Sequence, residues 1–239
     1  MFQRYLTFYK PGAQLLAFCI LFFMCSILFS LLAITLVPKF LPEVNFMNLA
    51  SNHDLKNQAQ IQALKILQIA QQFFVLLLPS LLFGYLSYPY AMKFLGFNKV
   101  KPLHIFLGIA LIVITIPFMA VLEHINKMVP LSPAMKLAEA QAQKMIEAFL
   151  TGSTSTHFIF SFFMFAILPA FAEELFFRSG VQHIILTGWF RLKPFFAIAI
   201  TAVIFSLFHF QMEGFLPRFF AGFVLGSAYY LSGSIWLSI

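Results

Sequence analysis

From Ala13 to Val37 the chain carries no charged side chain. A helix that crosses the hydrocarbon core of a bilayer needs about 20 consecutive apolar residues. In lipid its backbone polar groups must be satisfied within the helix itself. The run is too long for a signal-peptide core, and no small-x-small cleavage site follows it, so it reads as a retained first span. Similar apolar stretches recur at Ile66–Tyr88, Leu103–Leu122, His157–Leu186, Phe195–Phe210 and Phe215–Leu231. Pro79 lies inside the second, where a kink is expected. The chain is 61% hydrophobic and 10% charged, against roughly 45–50% and about 25% for a soluble domain. That excludes a soluble enzyme, a disordered chain and a coiled coil. The expected fold is an all-α, polytopic transmembrane bundle of about seven to eight helices, with interfacial amphipathic helices besides. The 34 phenylalanines suit a lipid-facing surface.

The net charge is +7, but the lysines and arginines lie mostly between apolar runs. Positive-inside bias and anionic lipid explain such a pattern, and nucleic acid is not an expected partner. If the spans alternate, Arg4, Lys10, Lys93, Lys99, Lys101, Arg191 and Lys193 share one side, which the rule makes cytoplasmic. Segments 38–65 and 123–156 then lie outside. In the second of these, Met135, Ala138, Met145, Ile146 and Phe149 fall roughly on one face, the pattern of an amphipathic helix. Cys19 and Cys25 share one apolar run and form no metal motif. Gly222 and Gly226 have the Gly-x-x-x-Gly spacing that permits close helix packing, or that chance places in a Gly-bearing span. The last residues, Ser232–Ile239, read as the opening turns of an apolar helix that continues beyond the chain.

Glu43, Asp54, Glu123, Glu139, Glu147 and Glu213 sit in or beside polar segments and read as solvated. Glu173 and Glu174 follow a long apolar run and precede Leu-Phe-Phe. A charge at mid-bilayer costs at least roughly 2.5–3.5 kcal/mol, and a functional role is its default reading; a helix-bundling salt-bridge network is the alternative. Glu174 and Arg178 are an i, i+4 pair and meet on one helix face. Glu173 points about 100° away, has no local cation, and is free to act as a general base. His209 is the most deeply embedded histidine. It and Glu173 are equally far in sequence from the expected turn at Arg191, so an antiparallel hairpin sets them at similar depth. Arg218 faces the same cavity or snorkels to the interface. His53, His104, His124 and His157 sit in loops or at helix ends, and His183 reads as a helix-end residue.

A glutamate and a histidine in a water-accessible pocket can activate water for attack on a carbonyl, the glutamate taking the proton and the histidine orienting water or supporting the oxyanion. No G-x-S-x-G, H-E-x-x-H or P-loop is present, so serine hydrolases, classical zincins and NTPases lose support. No cofactor is expected. A metal bound by carboxylate and histidine stays open, although one of three candidate ligands is tied to Arg178. Proton-coupled transport is a further alternative, but paired broken helices are not found.

At these positions the sequence resembles a known family. Glu173-Glu174-Leu175-Phe176-Phe177-Arg178 matches E-E-x-x-x-R, and Phe205-Ser206-Leu207-Phe208-His209 matches F-x-x-x-H. These are signature motifs of the CPBP family, which comprises CAAX prenyl endopeptidases of Ras-converting-enzyme type and bacteriocin-processing and immunity proteins. The stretch Arg218-Phe219, Gly222, Gly226 and Ser232–Trp236 is also similar. The resemblance implies a catalytic helical core over 157–239, preceded by transmembrane helices and interfacial segments over 1–156. It implies an intramembrane glutamate protease in which Glu173 and His209 activate water, and Glu174 with Arg178 supports the site. Phe205 and Arg218 become substrate-binding candidates. The substrate would be a membrane-associated peptide or protein, and the setting a bacterial inner membrane. A third motif, H-x-x-x-N or similar, is expected beyond Ile239. The alternative function is a non-enzymatic immunity or scaffold protein that keeps the buried charges for packing.

Overall fold

The computed structural model describes residues 5–40, 58–87, 90–151, 155–190 and 193–239. Arg4, Glu43, His53, Asp54, Arg191 and most of the polar stretch ahead of Gln58 lie outside these residues, and so does the side chain of His157. Among the described residues the chain forms eight helices and no strand. They are α1 (Pro11–Phe40), α2 (58–87), α3 (Ala91–Phe94), α4 (Pro102–Lys127), α5 (Pro133–Leu150), α6 (155–188), α7 (Pro194–Leu207) and α8 (Phe215–Ser232). Four of them, α1, α2, α4 and α6, are long and apolar enough to cross a membrane. The all-helical membrane architecture expected from the sequence is therefore present. α7 is shorter than its apolar run: it ends at Leu207 rather than Phe210, and its 14 residues rise only about 21 Å.

Two long helices change pitch where proline requires it. A proline inside a helix removes one N–H and clashes with the carbonyl four residues earlier. In α2 a π-helical segment, Gln72–Leu77, directly precedes Pro79. In α6 another, Phe163–Ile167, directly precedes Pro169. The i→i+5 bonding of a π turn lets the helix absorb the lost bond and continue. A third π segment, Leu175–Gln182, contains no proline and carries Arg178.

The core is aromatic. Phe18 of α1, Phe83 of α2, Phe176 and Phe177 of α6, and Phe205 of α7 are buried together. Their rings meet edge-on or tilted at 4.9–5.1 Å between centroids for Phe18–Phe83, Phe18–Phe176 and Phe177–Phe205, the geometry favoured by aromatic quadrupoles. Phenylalanine thus does two jobs, where the sequence suggested only the lipid surface: Phe23, Phe106, Phe118 and Phe158 are exposed on the outside of the bundle.

α7 and α8 pack closely along their length. The glycine pair makes this possible, which decides between the two sequence readings of it. A Cβ at Gly222 would lie 3.0 Å from Phe205 and 3.5 Å from Ala202; one at Gly226 would lie 2.7 Å from Gln182 and 3.1 Å from Ile198. Small residues at such crossings let backbones approach without lost packing.

α5 forms as expected, opened by Ser132, whose hydroxyl accepts from the Met135 N–H at 3.3 Å. Its apolar face is engaged only toward the C-terminal end. Phe149 is buried against Ile61 and Met164, with Met145 packed beside them, while Met135 and Ala138 are exposed. Ser232–Ile239 does not begin an α-helix. Gly233 adopts a left-handed conformation with φ 65°, and a 3-10 turn, Ile235–Leu237, follows. The Ile235 N–H donates to the Gly96 carbonyl at 2.9 Å, and Ile235 is fully buried with Leu95, Leu175 and Tyr229.

Pro11 lies against Gly188, and Phe94 packs its ring edge-on to His183 at 4.9 Å. These contacts bring Lys10 and Lys93 to the end of the bundle where α6 closes and α7 begins.

Candidate active site

The carboxylate pair lies at the end of the α-helical part of α6, where the π segment begins. Arg178 donates from Nε to Glu174 Oε2 at 2.8 Å and from Nη2 to Glu174 Oε1 at 3.0 Å. Both carboxylate oxygens are engaged in a fork geometry, the strongest form of such a pair. Arg178 is fully buried, and its guanidinium carbon stands 5.5 Å from the centroid of the Phe205 ring. A cation over an aromatic face in a dry site gains electrostatic stabilisation from the ring. Glu174 and Arg178 are therefore fixed to each other and walled in by the aromatic core.

Glu173 points elsewhere, as the 100° step predicts. It is half-buried, and Gln72 of the facing helix α2 lies close enough to act on its carboxylate. Gln72 is the first residue of the π segment in α2. The sequence reading passed over it, because an uncharged glutamine within an apolar span carries no distinguishing mark until the facing helix is known.

Glu173, Glu174 and Phe205 line a partly open cavity of about 300 Å³ between α4, α6, α7 and α8. Its other walls are mostly apolar: Ile112, Ile116 and Met119 of α4, and Ala221, Val224 and Leu225 of α8, with the Ser238 hydroxyl, which donates to the Ile235 carbonyl at 3.0 Å, at the edge. Thr115 also lines it, but its hydroxyl is spent on the Leu111 carbonyl at 2.6 Å. The arrangement is an apolar chamber with two carboxylates on one wall, one neutralised by a bound arginine and the other near a neutral amide.

His209 stands one turn beyond Phe205 and does not line this cavity. α7 ends two residues earlier, so His209 sits in the turn between α7 and α8. Its Nδ1 is 3.0 Å from the Phe205 carbonyl oxygen, and its ring packs edge-on to Phe205 at 5.0 Å. Phe205 thus touches both Arg178 and His209. Arg218 is not in the cavity wall either. Its guanidinium donates to the Gln211 side chain at 3.2 Å and to the Gln211 backbone carbonyl, and it lies within electrostatic reach of Glu139 on α5 and of His209. The structure therefore brings Glu173, Glu174, Arg178 and Phe205 together, and places His209 and Arg218 next to them in a second polar group at the end of α7. Among the described residues no three histidine, cysteine, aspartate or glutamate side chains converge as a metal site would require. His183 is more than a helix-end residue: it lines a separate cavity with Lys93, Asn98 and Tyr229.

A second residue passed over by the sequence reading is Asn126, near the end of α4. It is buried. Its side-chain amide donates to the Met212 and Glu213 carbonyls at 2.6 and 2.8 Å, and its Oδ1 accepts from the Leu216 N–H at 2.9 Å. It holds the turn that contains His209.

No curated protein and no solved structure matches the chain. Residues 155–239 match the protein family described as type II CAAX prenyl endopeptidase Rce1-like. That segment opens at the first turn of α6 and runs through both motif-bearing helices, the ion pair and the glycine-packed α7–α8 contact. The C-terminal part of this membrane protein, residues 155–239, is thus similar to the Rce1-like type II CAAX prenyl endopeptidases.

Proposed function

We propose that the protein is an intramembrane endopeptidase that hydrolyses a peptide bond of a membrane-associated substrate, with Glu173 as the general base. One observation carries this reading. Of two adjacent carboxylates, Glu174 is engaged at both oxygens by Arg178, while Glu173 lies near the neutral Gln72 and lines the apolar chamber. A carboxylate in that setting can accept a proton from water, and the arginine holds its neighbour in place.

The step runs as follows. Glu173 takes a proton from a water molecule as the water oxygen bonds to the scissile carbonyl carbon. The carbonyl oxygen becomes an oxyanion. The C–N bond then breaks, the nitrogen takes the proton back from Glu173, and the products are a carboxylic acid and an amine. His209 orients the water or supports the oxyanion from the end of α7. Phe205 forms part of the chamber that receives the substrate, and Arg218 carries a positive charge beside His209. In this reading residues 157–239 supply the reactive groups, and the helices of 1–156 supply Gln72 and the α4 wall. The lysine-bearing end of the bundle faces the cytoplasm of a bacterial inner membrane.

A second reading, a non-enzymatic immunity or scaffold protein, is favoured by the complete burial of Arg178 inside the aromatic core, since a packed ion pair can serve bundling alone. The deciding experiment is cleavage of membrane-anchored peptides in detergent by the full-length protein and by its Glu173→Gln and His209→Ala variants. Cleavage by the wild type, slowed by orders of magnitude but still measurable in the folded His209→Ala variant and lost in the folded Glu173→Gln variant, supports the peptidase. No cleavage by folded wild type across several such peptides supports the scaffold.

A further inference from the structure

The turn that carries His209 has little structure of its own. It runs from the end of α7 at Leu207 to the start of α8 at Phe215, and it includes Phe210 with φ 53°, a left-handed conformation that side chains other than glycine adopt only when held there. Short-range bonds tie it, among them the Phe210 N–H to the Leu207 carbonyl at 3.0 Å and Arg218 to Gln211, and it is held from outside as well. Asn126 makes all three of its side-chain bonds to this turn and to the first residues of α8, as described above. Ser206, fully buried, donates to the Phe215 carbonyl at 2.7 Å and closes the turn across its base. Glu139 of α5 accepts from the Glu213 N–H at 3.1 Å. His209 itself is anchored locally, at the Phe205 and Ser206 carbonyls, while the residues that follow it in the turn are fixed from α4, with a supporting contact from α5.

α4 is also a wall of the Glu173 chamber, through Ile112, Ile116 and Met119. Met119 and Asn126 are two helical turns apart on one rigid helix. Whatever displaces α4 on filling the chamber must pull on the turn through Asn126. We infer that Asn126 is a positioning residue for His209, and that α4 couples occupancy of the chamber to the placement of that histidine. This rests on the peptidase reading for its catalytic consequence, but the mechanical link stands on the hydrogen bonds alone.

The test has two independent parts. In the first, kcat and KM are measured for Asn126→Ala and Asn126→Gln in the full-length protein. A positioning role predicts that Asn126→Ala loses about 10²-fold in kcat, the scale of a misplacement of about 1 Å, with KM nearly unchanged. Asn126→Gln keeps donor and acceptor on a tether one methylene longer and falls between the two. In a His209→Ala background Asn126→Ala causes no further loss. In the second part, ring resonances of ¹⁵N-histidine-labelled protein in micelles are compared, with His209 assigned by its absence in His209→Ala. Asn126→Ala is expected to shift or broaden the His209 signals and leave those of His183 in place. Unchanged His209 resonances in Asn126→Ala overturn the inference, and so does an equal loss of kcat with and without His209. If the wild type cleaves nothing, the peptidase reading fails, while the resonances still decide whether Asn126 holds His209.

Discussion

Gln72 and Glu173 meet across the contact between α2 and α6, each beside a π-helical segment. Widening a helix by one residue re-aims the side chains that follow it, and such segments occur often at functional positions. The effect here is to put a neutral amide against one carboxylate while the arginine is committed to the other. Replacing Glu173 by glutamine removes the base but keeps a side chain of the same shape, able to bond an amide. The expected outcome is a loss of about 10²–10⁴-fold in cleavage rate, the usual contribution of a general base. The melting temperature in detergent should stay level or rise, because a partly buried charge has been removed. A variant that cleaves at the wild-type rate would remove Glu173 from the mechanism.

The Glu174–Arg178 pair calls for the opposite pattern. Both partners are buried, so taking one away leaves an uncompensated charge, which costs about 3–5 kcal/mol. Arg178→Met and Glu174→Gln should each destabilise the bundle severely. The double variant should recover most of the loss, because a buried pair replaced by neutral groups of similar volume is often close to neutral in stability. Unfolding of the four proteins in mixed micelles supplies the cycle, and additive losses would show that the two side chains do not depend on each other.

How much of this was legible in the sequence depended on distance along the chain. The Glu174–Arg178 fork could be foreseen because i, i+4 neighbours on a helix meet whatever surrounds them. The equal-depth argument for Glu173 and His209 assumed uniform helices. It put both near the end of α7 but missed that the helix stops at Leu207, which turns His209 away from the chamber wall. Gln72 and Asn126 were not legible. Each acts on a partner far along the chain, and neither residue type is costly enough in its local setting to signal a role. The aromatic core was invisible for a different reason: in an apolar span, phenylalanines that face lipid and those that face protein obey the same composition. Ser232–Ile239 looked helical by hydropathy, but the left-handed Gly233 ends α8 as glycine commonly does at a helix C-terminus.

Gly222 is the point where packing and site touch. A methyl group there would come within 3.0 Å of the Phe205 ring, the same ring that lies against both Arg178 and His209. Gly222→Ala should cost about 1–3 kcal/mol, the range for overfilling a packed contact, and should lower cleavage as well because Phe205 must move. Gly233→Ala offers the contrast. It has open space around it, so its penalty comes from backbone conformation alone, and cleavage per folded molecule should be kept. Thermal unfolding and rate measured on the same samples separate the two, and equal effects on rate would deny Phe205 a place in the site.

Metal dependence gives the last prediction. A catalytic zinc site takes three protein ligands and leaves a fourth position for water. Glu174 has both oxygens engaged by Arg178, His209 stands outside the chamber wall with Nδ1 against a carbonyl, and no convergent set of three ligands exists among the described residues. Water activation by Glu173 requires no Lewis acid, since the carboxylate itself accepts the proton. Cleavage should therefore persist at an unchanged rate after prolonged chelation and desalting, and added zinc should not raise it. If chelation abolishes cleavage and zinc restores it, Glu173 and His209 become candidate ligands brought together by substrate. The Glu173→Gln loss would then have to be reassigned from proton transfer to metal binding, a distinction that metal content measured in both proteins would settle.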